Sequence, residues 1–482
     1  MISIIFFYST ILSQDLYEGY TLFTPITEGP SGGGQNYTRL IDNNGQIINE
    51  WEHVSCAATA AYLSSDGSLL CPIKVEDPFM VGAAYGGKII RYDWSGEIIW
   101  EYVYADTNYL QHHDIEPMSN GNLLVLSWDR KTYLDALAAG RENIESEMWP
   151  DKIVELQPLG YNEASIVWEW TFWDHLIQDY DSTLSNYGEV ANHPELLDIN
   201  LVSLDLAALG YCDWTHSNSI DYNEQLDQIL ISSRNLHEIY IIDHSTTTEE
   251  ASGHTGGNSG MGGDILYRWG NPMNYGRGQY ENRMLIGQHD ANWISSDYPG
   301  ENNIVIYNNG SITTFGQDFT QSSVVEIEPP LNELGLYEID EVHSFAPLSY
   351  SWEYTGDFFS HIMSGVRRLE NGNSIVTAAT EMRIFEVTSD GQIVWNYIHN
   401  EVGQNSISKA FKYPIDYMRI GGLLFGDNNY DQNIDIFDII IIINHILEIN
   451  QLELSQLYVS DINYDGDVSV QDIIQLISII LE

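Results

Sequence analysis

The chain has 482 residues, 43% of them hydrophobic, which suffices for one large packed domain with a small one beside it and excludes a disordered chain. Seventy Asp and Glu against 18 Lys and Arg leave a net charge of −52, a field that repels phosphate backbones and anionic lipid and excludes nucleic acid as a partner. Three cysteines, Cys56, Cys71 and Cys212, allow at most one disulfide, so no disulfide framework holds the fold.

The opening MISIIFFYSTILSQ (1–14) is apolar from Ile2 to Leu12, far short of the ~20 residues that span a bilayer. It reads as a secretion signal, although no Lys or Arg precedes the apolar run, and no other stretch is long enough to span a membrane. Over residues 15–405, strands ending in tryptophan recur six times: GQIINEW (45–51), GEIIWEY (96–102), ASIVWEW (164–170), DILYRWG (264–270), PLSYSWEY (347–354) and GQIVWNY (391–397). A second strand precedes several of them, as in KIIRYDWSG and RIFEVTSDG, with SG and DG steps for hairpin turns. Two more strands joined by a turn follow most copies, as in DIEPMSNGNLLVLS and GVRRLENGNSIVTAA. Four short strands per unit, repeated at intervals of tens of residues, predict an all-β, six-bladed β-propeller. An irregular β-sandwich is the competing reading, and the regularity of the motif disfavours it.

Helical spacing over 132–150 and 174–210 predicts insertions above one rim of the ring, as a lid or as surface elaboration. The glycines of 244–263 read as a long loop, without the strand-and-helix setting of a phosphate-binding turn. Residues 406–424 are expected to be a linker.

From 425 to 482 the composition shifts to Asp, Asn and Ile. GDNNYDQNIDIFD sets Asp427, Asn429, Asp431, Asn433, Asp435 and Asp438 at positions 1, 3, 5, 7, 9 and 12 of a calcium loop, and SDINYDGDVSVQD repeats the spacing with Asp461, Asn463, Asp465, Asp467, Ser469 and Asp472. Each loop leads into an apolar helical run, IIIIINHIL and IIQLISIILE. The pair resembles a type I dockerin, which implies a small α-helical calcium-binding module that attaches a secreted protein to a cohesin. Gln432 stands where the first loop should have Gly, so its site is expected to be the weaker.

Aligned on tryptophans and turns, QHHDIEPM, DWTHSNSID and IGQHDANWI fall at one place in successive blades, which makes His113, His216 and His289 equivalents. The first strand of a propeller blade lines the central channel, so the three point at a common axis. A lone histidine is usually a packing residue, but three at one blade position point to a site. With Arg234 and Asn218 they form a donor set for a tetrahedral anion. Three imidazoles could instead ligate Zn²⁺ or Cu²⁺, which the adjacent arginine opposes.

HHDIEPMSNGNLLVL, DWTHSNSIDYNEQLDQILISSR, IIDHSTTTEEASGHTGG, YRWGNPMNYG, GQHDANW and MSGVRRLENGNSIV are together similar to the arylsulfate sulfotransferase family, over nearly all of 20–400. The resemblance implies transfer of a sulfuryl group from a phenolic sulfate donor to a phenolic acceptor through a sulfohistidine, with no cofactor for the transfer. It implies His289 as nucleophile and His216, Asn218, Arg234 and one of His112 and His113 as sulfuryl-binding residues, the blade alignment preferring His113. A late lysine of the family has no clear match; Arg367 or Arg368 is the nearest cation. Two other classes compete: a non-catalytic propeller that binds ligands or docks, and a hydrolase or lyase acting on sulfated polysaccharide.

Overall fold

Strands rich in β-branched and aromatic residues assemble into six antiparallel four-stranded sheets, the blades of a propeller. The computed structural model describes residues 16–26, 36–144, 146–202, 212–310, 321–339, 342–401, 403–415, 417, 426–429, 433–452, 454–462 and 467–481. The secretion signal expected over 1–14 lies outside them.

From the axis outward, blade 2 runs Tyr62–Leu63, Leu69–Lys74, Gly87–Tyr92 and Ile98–Val103; blade 3 runs Tyr109–Pro117, Leu123–Asp129, Asp151–Leu159 and Glu163–Thr171. Blade 4 runs Ser217–Asn223, Gln228–Ser233, Glu238–Asp243 and Tyr267–Trp269; blade 5 runs His289–Trp293, Ile304–Asn308, Ser323–Ile327 and Trp352–Thr355. Blade 6 runs Gly365–Arg368, Ser374–Ala378, Arg383–Val387 and Ile393–Ile398. Middle strands such as Gln228–Ser233 and Glu238–Asp243 are buried on both faces, whereas the outer strand Ile98–Val103 buries only Trp100.

The six recurring tryptophans all lie on outer strands, and each indole N–H donates to the next blade. Trp51 reaches Asp93 O (2.9 Å), Trp100 reaches Glu163 O (3.1 Å) and Trp168 reaches Thr246 Oγ1 (3.1 Å). Trp269 reaches Pro347 O (2.8 Å), Trp352 reaches Ser389 O (2.9 Å) and Trp395 reaches Asn43 O (2.7 Å). The repeat seen in the sequence is therefore the joint between blades, combining a large buried ring with one directed donor.

Blade 1 corrects the expected domain boundary. Its strands Gly19–Ile26, Tyr37–Ile41 and Ile47–Glu52 lack an inner neighbour in sequence, and Ser406–Pro414 supplies it, pairing Leu22 with Phe411 and Tyr20 with Tyr413. The first nine residues of the expected linker 406–424 are thus the strand that closes the ring, because a three-stranded blade would leave a row of backbone groups unpaired at the axis. Residues 418–424 lie outside the described residues.

The insertion at 132–150 holds a six-residue α-helix, Tyr133–Ala138, closed by a Thr132–Asp135 capping box. The described part of 174–210 is tighter than its spacing suggests: a 3₁₀ turn at Val190–Asn192 and a parallel bridge of Leu176–Ile177 with Leu197–Asp198. The C-terminal module has helices at Ile436–Ile446, Leu454–Ser460 and Val470–Leu481, packed around Ile442, Ile462 and Leu476. No described helix is long and apolar enough to cross a membrane.

Candidate active site

The inner strands of blades 3, 4 and 5 enter the channel through bulges, seen as register breaks at Gln111/Ile115, Ser217/Ser219 and His289/Asn292. Each bulge carries a non-glycine residue in the left-handed region: His113 (φ 49°), His216 (φ 48°) and Asp290 (φ 53°). Such residues cost roughly 1–3 kcal/mol each and persist where the surroundings over-determine them. The blade equivalence of the three histidines slips by one residue here, because in blade 5 the left-handed position belongs to Asp290 and His289 precedes it.

That slip separates His289 from the carboxylate beside it. His289 is 7% exposed, and its Nδ1–H points to Asn309 Oδ1 (2.8 Å) and Gly287 O (3.0 Å). Both partners are neutral acceptors, so they fix the tautomer and leave the lone pair on Nε2, where the Met363 amide N–H donates to it (3.1 Å). Asn309 is itself fixed, its amide donating to the carbonyls of Ser360 (2.8 Å) and Met363 (3.1 Å). Burial, then the Arg234 guanidinium, push the His289 pKa down to about 3.

His113 and His216 meet edge to face, 4.7 Å between ring centroids. Burial, then the neighbouring imidazoles of His216, His112 and His289 and the charge of Arg234, push the His113 pKa well below its ordinary value. His113, His216, His289 and Arg234 therefore share one electrostatic neighbourhood. Asn218 joins it from blade 4, its amide donating to the carbonyl of Gln288 (2.7 Å), the residue before His289. Arg234 is 9% exposed, with its backbone N–H on His216 O (3.1 Å) and its guanidinium against Asn235 Oδ1 (3.3 Å).

His112 stands behind His113. It is fully buried, stacked on Trp128 at 4.4 Å, with Nε2 on Asp151 Oδ1 (3.1 Å) and Nδ1 on His113 Nδ1 (2.8 Å). His216 Nδ1 is held by Asp213 Oδ2 (2.5 Å), and Trp128 donates to the other oxygen of Asp213 (3.0 Å). Burial pulls the Asp213 pKa up, but His216 and the Trp128 donor outweigh it, so this carboxyl stays below its usual range. With Nδ1 thus engaged in both His113 and His216, neither Nε2 hydrogen-bonds within the described protein.

Residues 23–419 match the family model described as Arylsulfotransferase (ASST). The chain belongs to this family. Residues 425–481 match the Dockerin type I domain. No curated protein matches the chain. Among solved structures it is similar to a protein of unknown function from Bacteroides caccae (10% identity, 82% of this chain and 98% of that one, TM-score 0.43). It is also similar to a hypothetical selenium-binding protein from Sulfolobus tokodaii (12% identity, 70% and 66%, TM-score 0.39) and to virginiamycin B lyase from Staphylococcus aureus (13% identity, 82% and 88%, TM-score 0.35).

Around the axis of the arylsulfotransferase domain lies an ionic group that the sequence reading missed. Lys409, on the closing strand, puts Nζ 2.8 Å from Asp114 and 3.3 Å from Asp290, and Arg367 reaches Asp290 at 3.0 Å. Arg368 is turned away, paired with Glu326. Burial works against the Lys409 charge, yet Asp114 and Asp290 hold its pKa above the ordinary value. Placing residue 409 in a linker hid it; counting strands in blade 1 would have found it. Asp213 carries the weaker signal of being a carboxylate close before a channel histidine, and Asp151 and Asn309 carry none.

Among the described residues, three carboxylates of the dockerin loops are buried. Asp427 and Asp438 are buried in the first, where Asp438 accepts from the amides of Asn428 (2.7 Å) and Asp435 (2.8 Å). Asp472 repeats this in the second, accepting from Ile462 and Ser469, both at 2.8 Å. Burial, and further along the nearby charge of Asp427, push the Asp438 pKa up, a strain that a hard cation between such carboxylates relieves. Asn429, Asn433, Asp435, Asp461, Asp467 and Ser469 are among the described residues; Asp431, Asn463 and Asp465 lie outside them.

Proposed function

We propose that the propeller moves a sulfuryl group from a phenolic sulfate ester to a phenolic acceptor through a sulfohistidine on His289, and that the dockerin module, filled with calcium, tethers the secreted enzyme to a cohesin. The observation that carries this reading is the state of His289: buried, neutral, its tautomer set by Asn309 and Gly287, and neighboured by Arg234 and two further imidazoles. A neutral Nε2 is the form that attacks sulfur.

Nε2 leaves its contact with the Met363 amide and bonds to sulfur while the S–O bond breaks, and the electron pair leaves on the phenolate. The imidazolium so formed keeps its Nδ1–H on two carbonyl-type oxygens, which ease the positive charge without quenching it. In the second half the acceptor phenol gives its proton to solvent, which returns one to the phenolate already released, and its oxygen bonds to sulfur as the N–S bond breaks, so that His289 returns to the neutral ring. Charge on the sulfuryl oxygens is met by Arg234, by Asn218 and by Nε2 of His113 and His216.

Sulfuryl oxygens only accept, so this role requires an N–H at His113 Nε2. His113 Nδ1 then accepts the Nδ1–H of His112, whose Nε2 faces Asp151. His112 is on this reading a positioning residue that makes its neighbour a donor. For the tether, Asp427, Asn429, Asn433, Asp435, Asp438, Asp461, Asp467, Ser469 and Asp472 supply the oxygens that hold calcium.

The test is phenol release from a chromogenic aryl sulfate, with and without a second phenol, in the wild type and in His289→Ala. Transfer predicts release that rises with acceptor and vanishes in the variant. Release independent of any phenol points to a hydrolase, and ligand binding that persists in the variant without release points to a binding propeller.

A further inference from the structure

At the outer edge of blade 3, four strands from the axis, a second cluster joins two segments that the channel chemistry does not use. His175 follows the outer strand of blade 3, and His254 and Asp264 lie in the glycine-rich loop of blade 4. Asp264 Oδ1 is 2.8 Å from His175 Nδ1 and 2.7 Å from His254 Nδ1, and one ligand atom from each residue lies within 4.8 Å of the others.

The surrounding chain holds the buried imidazole in one orientation. His175 is fully buried, and its Nε2 faces the Ala251 carbonyl at 2.8 Å. A carbonyl only accepts, so Nε2 carries a proton, and Nδ1 faces the same carboxylate oxygen as His254 Nδ1, leaving three ligand atoms of the kinds zinc takes converging on one point. The loop is shaped around this ring: a Cβ added to Gly263 would meet His175 Nε2 at 2.7 Å and Ala251 O at 1.9 Å.

We propose that His175, His254 and Asp264 form a binding site for a zinc-type divalent cation, which staples the 172–199 insertion to the 244–264 loop. Two imidazoles and one carboxylate suit zinc and its neighbours, with water as fourth ligand, and do not suit calcium or magnesium, which take oxygens. Bonds of roughly 2.0–2.2 Å set tetrahedral ligand atoms about 3.3 Å apart, so binding opens the present contacts by about half an ångström. His254, 61% exposed at its side chain, is free to make that move. The cation is structural: it sits on an outer edge of the ring, whereas His289 lies on an inner strand.

The experiment uses the full chain, stripped with chelator and returned to calcium so that the dockerin loops stay filled. Zinc is then titrated by calorimetry and its effect on thermal unfolding recorded, with cobalt as a spectroscopic substitute. The site predicts one tight equivalent, a rise in Tm, a tetrahedral cobalt band, and at least a tenfold loss of affinity in His254→Ala and in Asp264→Asn. His254→Ala changes an exposed side chain and should fold. Equal zinc binding by wild type and His254→Ala would assign the metal to the acidic surface and overturn the proposal. So would a Tm that ignores zinc.

Discussion

His289 and Asp290 are consecutive residues with opposite fates. One is kept neutral by burial and a nearby guanidinium; the other pairs with Lys409 and Arg367 and accepts from the amide of Val366. His113 and Asp114 repeat the contrast two blades away, the imidazole in the histidine cluster and the carboxylate on Lys409. The left-handed bulge residue is what separates them. A histidine next to an aspartate in sequence invites a catalytic pair, yet this backbone sends the carboxylate to an ion cluster and leaves the imidazole among neutral partners.

The sharpest way to break the contrast is to remove one member at a time. His289→Ala is expected to lower phenol release by about 10⁴-fold or more, as losing a covalent nucleophile does elsewhere, with little change in Tm. Lys409→Met acts on the other side: it leaves Asp114 a buried charge without its cation, while Asp290 keeps Arg367, and should cost about 3–5 kcal/mol of stability in denaturant unfolding. Arg234→Ala should lower kcat by about 10²–10³, the range for losing one donor to developing charge, with aryl sulfate turnover as the readout. Should Arg234→Ala melt the fold and Lys409→Met spare it, the two groups would have been assigned the wrong way round.

Acid gives the smallest and most discriminating effect. An ordinary histidine loses its lone pair as pH falls through about 6.5. His289, pushed down to about 3, keeps it, so phenol release is expected to stay flat from pH 8 to about 5. For stability, the unfolded chain takes up a proton at this residue below about pH 6.5 and the folded chain does not until about 3. Folding therefore loses up to roughly 1.4 kcal/mol per pH unit in that window, and nothing above it. His289→Asn removes the penalty, so its Tm should gain on the wild type between pH 7 and 5. An acid limb near pH 6.5 in the rate, with no such gain, would mean that the imidazole is charged in the fold.

The blades were legible because one residue type marks each joint: a tryptophan must recur wherever an indole N–H bridges to the next blade. The dockerin loops were legible because oxygen ligands need fixed spacing. What escaped depended on contacts distant in sequence. Lys409 meets Asp114 across 295 residues, through a closing strand that local pattern cannot distinguish from a linker with strand-like spacing. Asn309 reaches His289 from the end of the adjacent strand, and nothing in YNNG marks it. The one-residue slip in blade 5 is a backbone event, φ +53° at Asp290 in place of its histidine neighbour, and motif alignment aligned the side chains instead.

The central claim is a covalent bond to His289 Nε2, and peptide mass spectrometry after brief exposure to an aryl sulfate without acceptor tests it directly. The account predicts a sulfuryl adduct on the peptide containing His289, absent in His289→Ala and lost on adding a phenol. Stoichiometric phenol release with no adduct on that peptide, or an adduct that persists in the variant, would contradict it.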